Sequence, residues 1–305
     1  MMMSAHTFDP TTLLPTTVVG SFPAVKKTGL FGLVDPYRHA VRFAVSEQLR
    51  AGIDIISDGQ VREGMVRAFT GKLPGIRDDT VISHVGAAAI PITVSDTRYA
   101  LKQANQVKGI LTGPSSLAHA LRIQTPEYRN REELVLDLAG ALAAEGRALA
   151  EAGVCIIQID EPILSTGAAD LETGVSAITA IANAVPVPVC LHVCGPLETI
   201  IDSLLKLPIS ILDIEAATEP QNLEIFSDKD LAGKMVGCGC VASSDHEVES
   251  VDLIKKRIEQ CIEVFSHETI LIDPDCGLRM HTPEGAYAKL SRMVEATQLV
   301  RKEYT

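Results

Sequence analysis

Short runs of apolar and β-branched residues alternate along the chain with longer segments whose apolar positions recur every three or four residues. The first period predicts strands and the second predicts helices. The strand runs are TTVVGS (16–21), IDIISDG (53–59), KGILTG (108–113), VCIIQID (154–160), VPVCLHVC (187–194), ISILDIE (209–215), KMVGCGC (234–240) and TILIDPDC (269–276). Helical segments fall between them at 37–51, 131–152, 175–184, 197–207, 251–265 and 282–301. Eight strand-and-helix units in a chain of 305 residues predict an α/β fold, a single (β/α)8 TIM barrel.

Residues 76–107 break this rhythm. They contain DDTVISHVGAAAIPITVSDTRY, two short β runs around a Gly/Ala turn, which predicts a β-hairpin inserted after the second strand. No Pro/Gly/Ser-rich linker or low-complexity tract divides the chain, so residues 1–305 read as one domain.

A hydrophobic fraction of 46% is that of a globular chain able to bury a sizeable core. The formal charge of -12, from 39 acidic and 27 basic residues, argues against nucleic acid and anionic membrane as partners, since both need clustered Lys and Arg. The most apolar long segment, 134–159, is interrupted by Asp137, Glu145, Arg147 and Glu151, which a bilayer would not tolerate. The opening MMMSAHTFDPTTLLP lacks the basic and apolar parts of a secretory signal, and a cytoplasmic location is expected. Seven cysteines without an export signal favour reduced thiols, held as ligands or as core residues.

Chemistry in such barrels sits where the strands end at their C-terminal side. There the runs carry Ser21, Asp58 and Gln60, Asp160 and Glu161, His192 and Cys194, Glu215, Cys238 and Cys240, and Asp275 and Cys276. His192 and Cys194 are two residues apart on one strand, so they project from the same face with Cα atoms about 6.5 Å apart. Imidazole, thiolate and carboxylate are the ligands zinc takes in tetrahedral sites, and Glu215 and Cys276 on later strands complete a candidate set. A Cys in an apolar strand is otherwise an ordinary core residue, and Cys238 and Cys240 form a rival pair with the same spacing. Asp160, following IIQI, would place a carboxylate at the barrel mouth, where it can pair with a substrate ammonium group.

Taken together and in order, TTVVGSFP, IIQIDEP, HVC, DIEA and IDPDCGL resemble the C-terminal catalytic barrel of cobalamin-independent methionine synthase, over about Leu14 to Arg301. The family's large enzymes carry a further N-terminal half, so the chain looks like the short core form. The resemblance implies a zinc (Zn2+) methyltransferase that methylates the thiol of homocysteine to give methionine, with His192, Cys194, Glu215 and Cys276 as metal ligands. It also implies that Gly20, Ser21 and Asp160 hold homocysteine. Zinc turns a thiol that is mostly protonated at neutral pH into a bound thiolate still able to attack a methyl carbon.

Three positions depart from the family pattern. A glutamate that contacts the amino acid is replaced by Gln60; the acid histidine aligns with Ser244, leaving His246 two residues on as the candidate proton donor; and a folate-contacting glutamate is replaced by Thr166. With no Trp to stack on a pterin, the expected methyl donor is methylcobalamin or a methylated corrinoid protein. A methyl-tetrahydropterin donor, a different thiol acceptor, and a non-catalytic zinc barrel that docks a corrinoid protein are the alternatives.

Overall fold

The computed structural model describes Phe8 and residues 11–25 and 35–304. Most of the N-terminal stretch weighed as a possible signal lies outside these residues. In chain order the elements are α1 (Arg38–Ala51), α2 (Met65–Thr70), β1 (Ile76–Arg77), β2 (Thr80–Val81), α3 (Val94–Leu101), β3 (Lys108–Thr112), α4 (Pro114–Ala120), β4 (Arg122–Ile123), α5 (Arg131–Ala152), β5 (Ile156–Asp160), α6 (Leu171–Ala184), β6 (Val189–Val193), α7 (Ile201–Leu204), β7 (Ile211–Glu215), α8 (Gln221–Glu224), β8 (Met235–Val241), α9 (Val251–Phe265), β9 (Ile270–Pro274) and α10 (Pro283–Arg301).

The long helices start where the sequence supplies caps. Side-chain oxygens of Asn130, Asp170, Ser250 and Thr282 each accept a backbone N–H three residues on, at the starts of α5, α6, α9 and α10. Gly52 and Gly153 close α1 and α5 in the left-handed conformation that glycine adopts without penalty. Of the predicted helix 197–207, only the four residues of α7 are regular; bonds from Ile200 N to Leu197 O and from Leu207 N to Leu204 O wind the flanking residues as tighter turns.

Strands β3, β5, β6, β7, β8 and β9 form one parallel sheet in that order. The first two predicted strands appear differently. Runs 16–21 and 53–59 make only single parallel bridges: Thr16 with Ile272 of β9, Thr17 with Ile55, and Ile56 with Val107 beside β3. At Thr16 the Asp54 carboxylate takes the backbone N–H that a regular ladder would have used, and accepts the Thr16 hydroxyl as well.

The region 76–107 also differs from its expectation. The antiparallel pair is β1 with β2, turned through Asp78 and Asp79 at positive φ, and β2 also lies parallel to β4. The run IPITV, read from its β-branched residues as the second arm, instead leads into α3. The Glu145 carboxylate of α5 accepts the N–H groups of Ile92 and Thr93, and a helix starts there.

Residues alternate across the sheet. Ile156, Cys190, Ile211 and Leu271 form a small apolar cluster on one face, and the residues two further on are Gln158, His192, Asp213 and Asp273, all buried. Above an apolar floor the same face therefore turns polar as it approaches the C-terminal ends of the strands. No helix among the described residues is long and apolar enough to cross a membrane.

Candidate metal and substrate site

His192 on β6 and Cys194 just beyond it meet Cys276, which follows β9. His192 Nε2 lies 3.0 Å from Cys194 Sγ, and Cys194 Sγ lies 3.6 Å from Cys276 Sγ. One ligand atom from each residue falls within 4.8 Å of the others. A tetrahedral zinc site with ordinary Zn–N and Zn–S bonds has edges of about 3.3–3.8 Å, so this nitrogen and two sulfurs fit such an ion with little adjustment.

The three groups influence each other strongly. The Cys194 thiol donates toward Cys276, and that contact, helped by His192, outweighs burial and holds the Cys276 pKa down at about 4. The same contact and burial push Cys194 up. Burial opposes a charge on His192, but the sulfur of Cys194 and the carboxylate of Asp213 outweigh it and raise its pKa. A metal ion would replace the shared protons of this cluster.

Glu215 ends β7 beside the cluster but is not one of the three converging donors. Its Oε2 accepts the N–H of Gly195 at 2.9 Å, the residue after Cys194, and burial raises its pKa. Gly195 is at positive φ, and the hydroxyl of Ser165 donates to the carbonyl of Cys194 at 2.5 Å, so the turn that presents the thiol is held on both sides.

The remaining predicted residues line the rim near this cluster. Asp160 is directly opposite His192 in the β5–β6 register. The carbonyl of Ser21 accepts the N–H of Leu278 at 2.7 Å, tying the first run to the loop that carries Cys276. Gly20 packs against the Gln60 side chain, whose Oε1 would stand 3.0 Å from a Cβ there. Gln60 is at positive φ, fixed by its N–H on Asp58 Oδ1 at 2.9 Å and by its carbonyl on the Arg279 guanidinium.

A profile of the cobalamin-independent synthase catalytic domain matches residues 14–299. The chain belongs to the cobalamin-independent methionine synthase family. It is 41% identical to the methionine synthase of Methanothermobacter marburgensis, covering 92% of this chain and 98% of that one. With the methionine synthase of Methanocaldococcus jannaschii the identity is 42%, covering 94% and 99%. Its fold is similar to a B12-independent methionine synthase from Shewanella solved with selenomethionine, with a TM-score of 0.82 at 22% identity over 96% of this chain and 99% of that one. The protein is a methyltransferase of the methionine synthase type. Membership of a cobalamin-independent family runs against the expected methylcobalamin or corrinoid-protein donor.

Within this family member, several candidates fall away from the cluster. His246 is exposed in the loop after β8, its ring edge-on to the buried His281 with centroids 5.0 Å apart. Cys238 and Cys240 are buried on the helix-facing side of β8; Cys240 Sγ lies 3.9 Å from Cys261 Sγ of α9, so the rival pair packs in the core. The opposite face of β8 belongs to Gly237 and Gly239, where a Cβ would strike Asp213 and Asp275. Thr166 is exposed and bonds to the carbonyl of Ile163 at 2.7 Å.

Three further carboxylates support the rim: Glu161 and Asp275, which end their strand runs in the sequence, and Asp213, which the strand-end pattern does not single out. Glu161, fully buried, accepts the N–H groups of Ser115 and Ser116 at the start of α4. Asp275 accepts the N–H groups of Ala216, Ala217 and Thr218 and so fixes the turn after Glu215. Asp213, two residues before Glu215, stands behind His192. Its signal was the strand period itself, which puts Asp213 and Glu215 on one face.

Proposed function

We propose that the chain methylates the thiol of homocysteine to form methionine, with a zinc ion held by His192, Cys194 and Cys276 and completed by Glu215. The observation that carries this reading is the meeting of His192, Cys194 and Cys276 from two distant parts of the chain. Bound there, zinc supplies the Lewis acidity that keeps a substrate sulfur as thiolate. Glu215, whose Oε2 accepts the Gly195 N–H beside Cys194, would supply the remaining carboxylate donor.

Asp160 pairs with the substrate ammonium, and Gly20 and Ser21 hold the rest of the amino acid against the neutral Gln60. The donor is a methyl-tetrahydropterin, of the methyltetrahydropteroylglutamate kind, as the family's cobalamin independence favours. His246, the candidate proton donor, is too exposed to exclude water from a leaving group, and we assign it no role. The backbone bonds Thr17 N to Ile272 O, Ile55 N to Thr16 O and Lys108 N to Ile56 O support closure of the sheet through the two bridged runs, as one eight-stranded (β/α)8 domain.

Zinc-loaded protein incubated with homocysteine and either methyltetrahydropteroylglutamate or methylcobalamin tests the reading. Methionine formed with the pterin donor, and lost on removing zinc, is the expected result. Methionine formed only with methylcobalamin refutes the donor, and none formed with either, from protein that binds zinc, refutes the function.

A further inference from the structure

Beneath the rim, three buried side chains are joined end to end. The Lys108 ammonium donates to Oε1 of Gln158, and Gln158 Nε2 donates to Asp160 Oδ1 at 2.7 Å and to the Val19 carbonyl at 2.6 Å. Lys108, Gln158 and Asp160 are 3%, 0% and 5% exposed, so bulk water does not compete for these bonds.

The amide of Gln158 can face only one way. An ammonium group has donors and no acceptor, so the amide oxygen must face Lys108 and both amide hydrogens must point at acceptors on the other side. Turning the amide over would set its oxygen against the Asp160 carboxylate and the Val19 carbonyl, and its NH2 against an ammonium. Each of those contacts is repulsive, and burial makes each one costly. Lys108 therefore fixes Gln158, and Gln158 fixes Asp160 with Oδ1 committed. Among the described residues Oδ2 has no such bond and remains for a cation approaching from the rim.

We propose that Lys108 and Gln158 are positioning residues that let the site select an amino-thiol over a thiol lacking the amino group. Neither touches substrate; they hold the Asp160 carboxylate in the orientation that meets an ammonium group. The inference rests on the reading of Asp160 as the ammonium partner. Lys108 also lines the same cavity as the buried carboxylates of Asp213 and Asp273, so a loss of stability on its removal would not by itself reveal this role.

The test compares dissociation constants of zinc-loaded protein for homocysteine and for 4-sulfanylbutanoate, its analogue without the amino group, by calorimetry. In Gln158→Leu and Lys108→Met the preference for homocysteine falls at least about tenfold, the scale of one charge-assisted hydrogen bond, while the analogue binds as before. Gln158→Glu keeps a partner for Lys108 but sets a second carboxylate against Asp160 and loses the preference as well, and circular dichroism shows that each variant is folded before its dissociation constants are compared. A preference unchanged in Gln158→Glu and Lys108→Met overturns the proposal. Asp160→Asn separates the two readings: a preference unmoved by that change overturns the role of Asp160, whereas one lost only there overturns the positioning role alone.

Discussion

Asp213 Oδ1 stands 3.3 Å from Nδ1 of His192, and among the described residues neither atom has a hydrogen-bond partner. Both side chains are buried, so the carboxylate is the group placed to accept Nδ1–H, holding the tautomer that leaves Nε2, the nitrogen beside Cys194, free for a metal. Gly237 makes room for it, since a Cβ there would lie 2.9 Å from that of Asp213. Asp213→Ala is expected to weaken zinc binding roughly tenfold to a hundredfold, the usual cost of losing the carboxylate behind a ligating histidine. Competition with a chelating dye measures it; an unchanged zinc affinity would show that His192 is oriented by something else.

The two groups of cysteines should separate cleanly. Cys276→Ser removes one of three converging donors, and Cys240→Ala removes a core thiol packed against Cys261. The first variant is expected to lose most of its bound zinc and its methyl transfer. The second retains zinc and loses about 1 kcal/mol of stability, as a small core truncation does. Metal analysis after gel filtration, with urea unfolding of each variant, decides the matter; zinc lost from Cys240→Ala would place the rival pair in the site.

How far the sequence disclosed this arrangement depended on how local the cause was. The two-residue spacing of His192 and Cys194 sets their shared face without reference to the rest of the chain, and β-branched periodicity located β3 and β5 to β9 for the same reason. Cys276 could be placed beside them only through the order of the strands. The runs at 16–21 and 53–59 look as strand-like as the others, but the Asp54 side chain takes the Thr16 N–H, a donor the ladder could use. IPITV becomes the lead into a helix because Glu145, about 50 residues away in sequence, receives its first N–H groups. Glu161 stands at the end of its strand run in the sequence, next to Pro162, and nothing local shows that α4 starts against it.

Glu161 gives a pH dependence of defined sign. Burial is the largest influence on it and raises its pKa from 4.5 to about 7, against the bonds from Ser116 and Ser115, which pull it down. The folded chain thus holds this proton more tightly than the unfolded chain, which favours folding below pH 4.5, and the advantage disappears as pH rises to about 7. A shift of that size corresponds to about 3 kcal/mol. Urea unfolding of wild type and Glu161→Gln from pH 4.5 to 8 should show wild type losing stability relative to the variant across that window. Parallel curves would mean that the Ser115 and Ser116 donors stabilise the carboxylate as well as its acid.

The last prediction concerns the close approach of Ser21 and Gly277. A Cβ on residue 277 would fall 2.0 Å from Ser21 Oγ, nearer than any real contact, and 3.1 Å from its Cβ. Gly277→Ala must therefore push the Ser21 hydroxyl aside, while the backbone bond from Leu278 N to Ser21 O tends to hold the two loops together. Cys276, next to the substitution, keeps its place on the loop after β9, so zinc binding should persist. If Ser21 holds homocysteine, KM for that substrate rises about tenfold with kcat changed far less, because the lost contact is to a part of the substrate that does not react. Steady-state kinetics on zinc-replete variant protein reads the split directly. An unchanged KM would remove Ser21 from the substrate site, and a fall in kcat with loss of zinc would mean that the displaced loop had carried Cys276 with it.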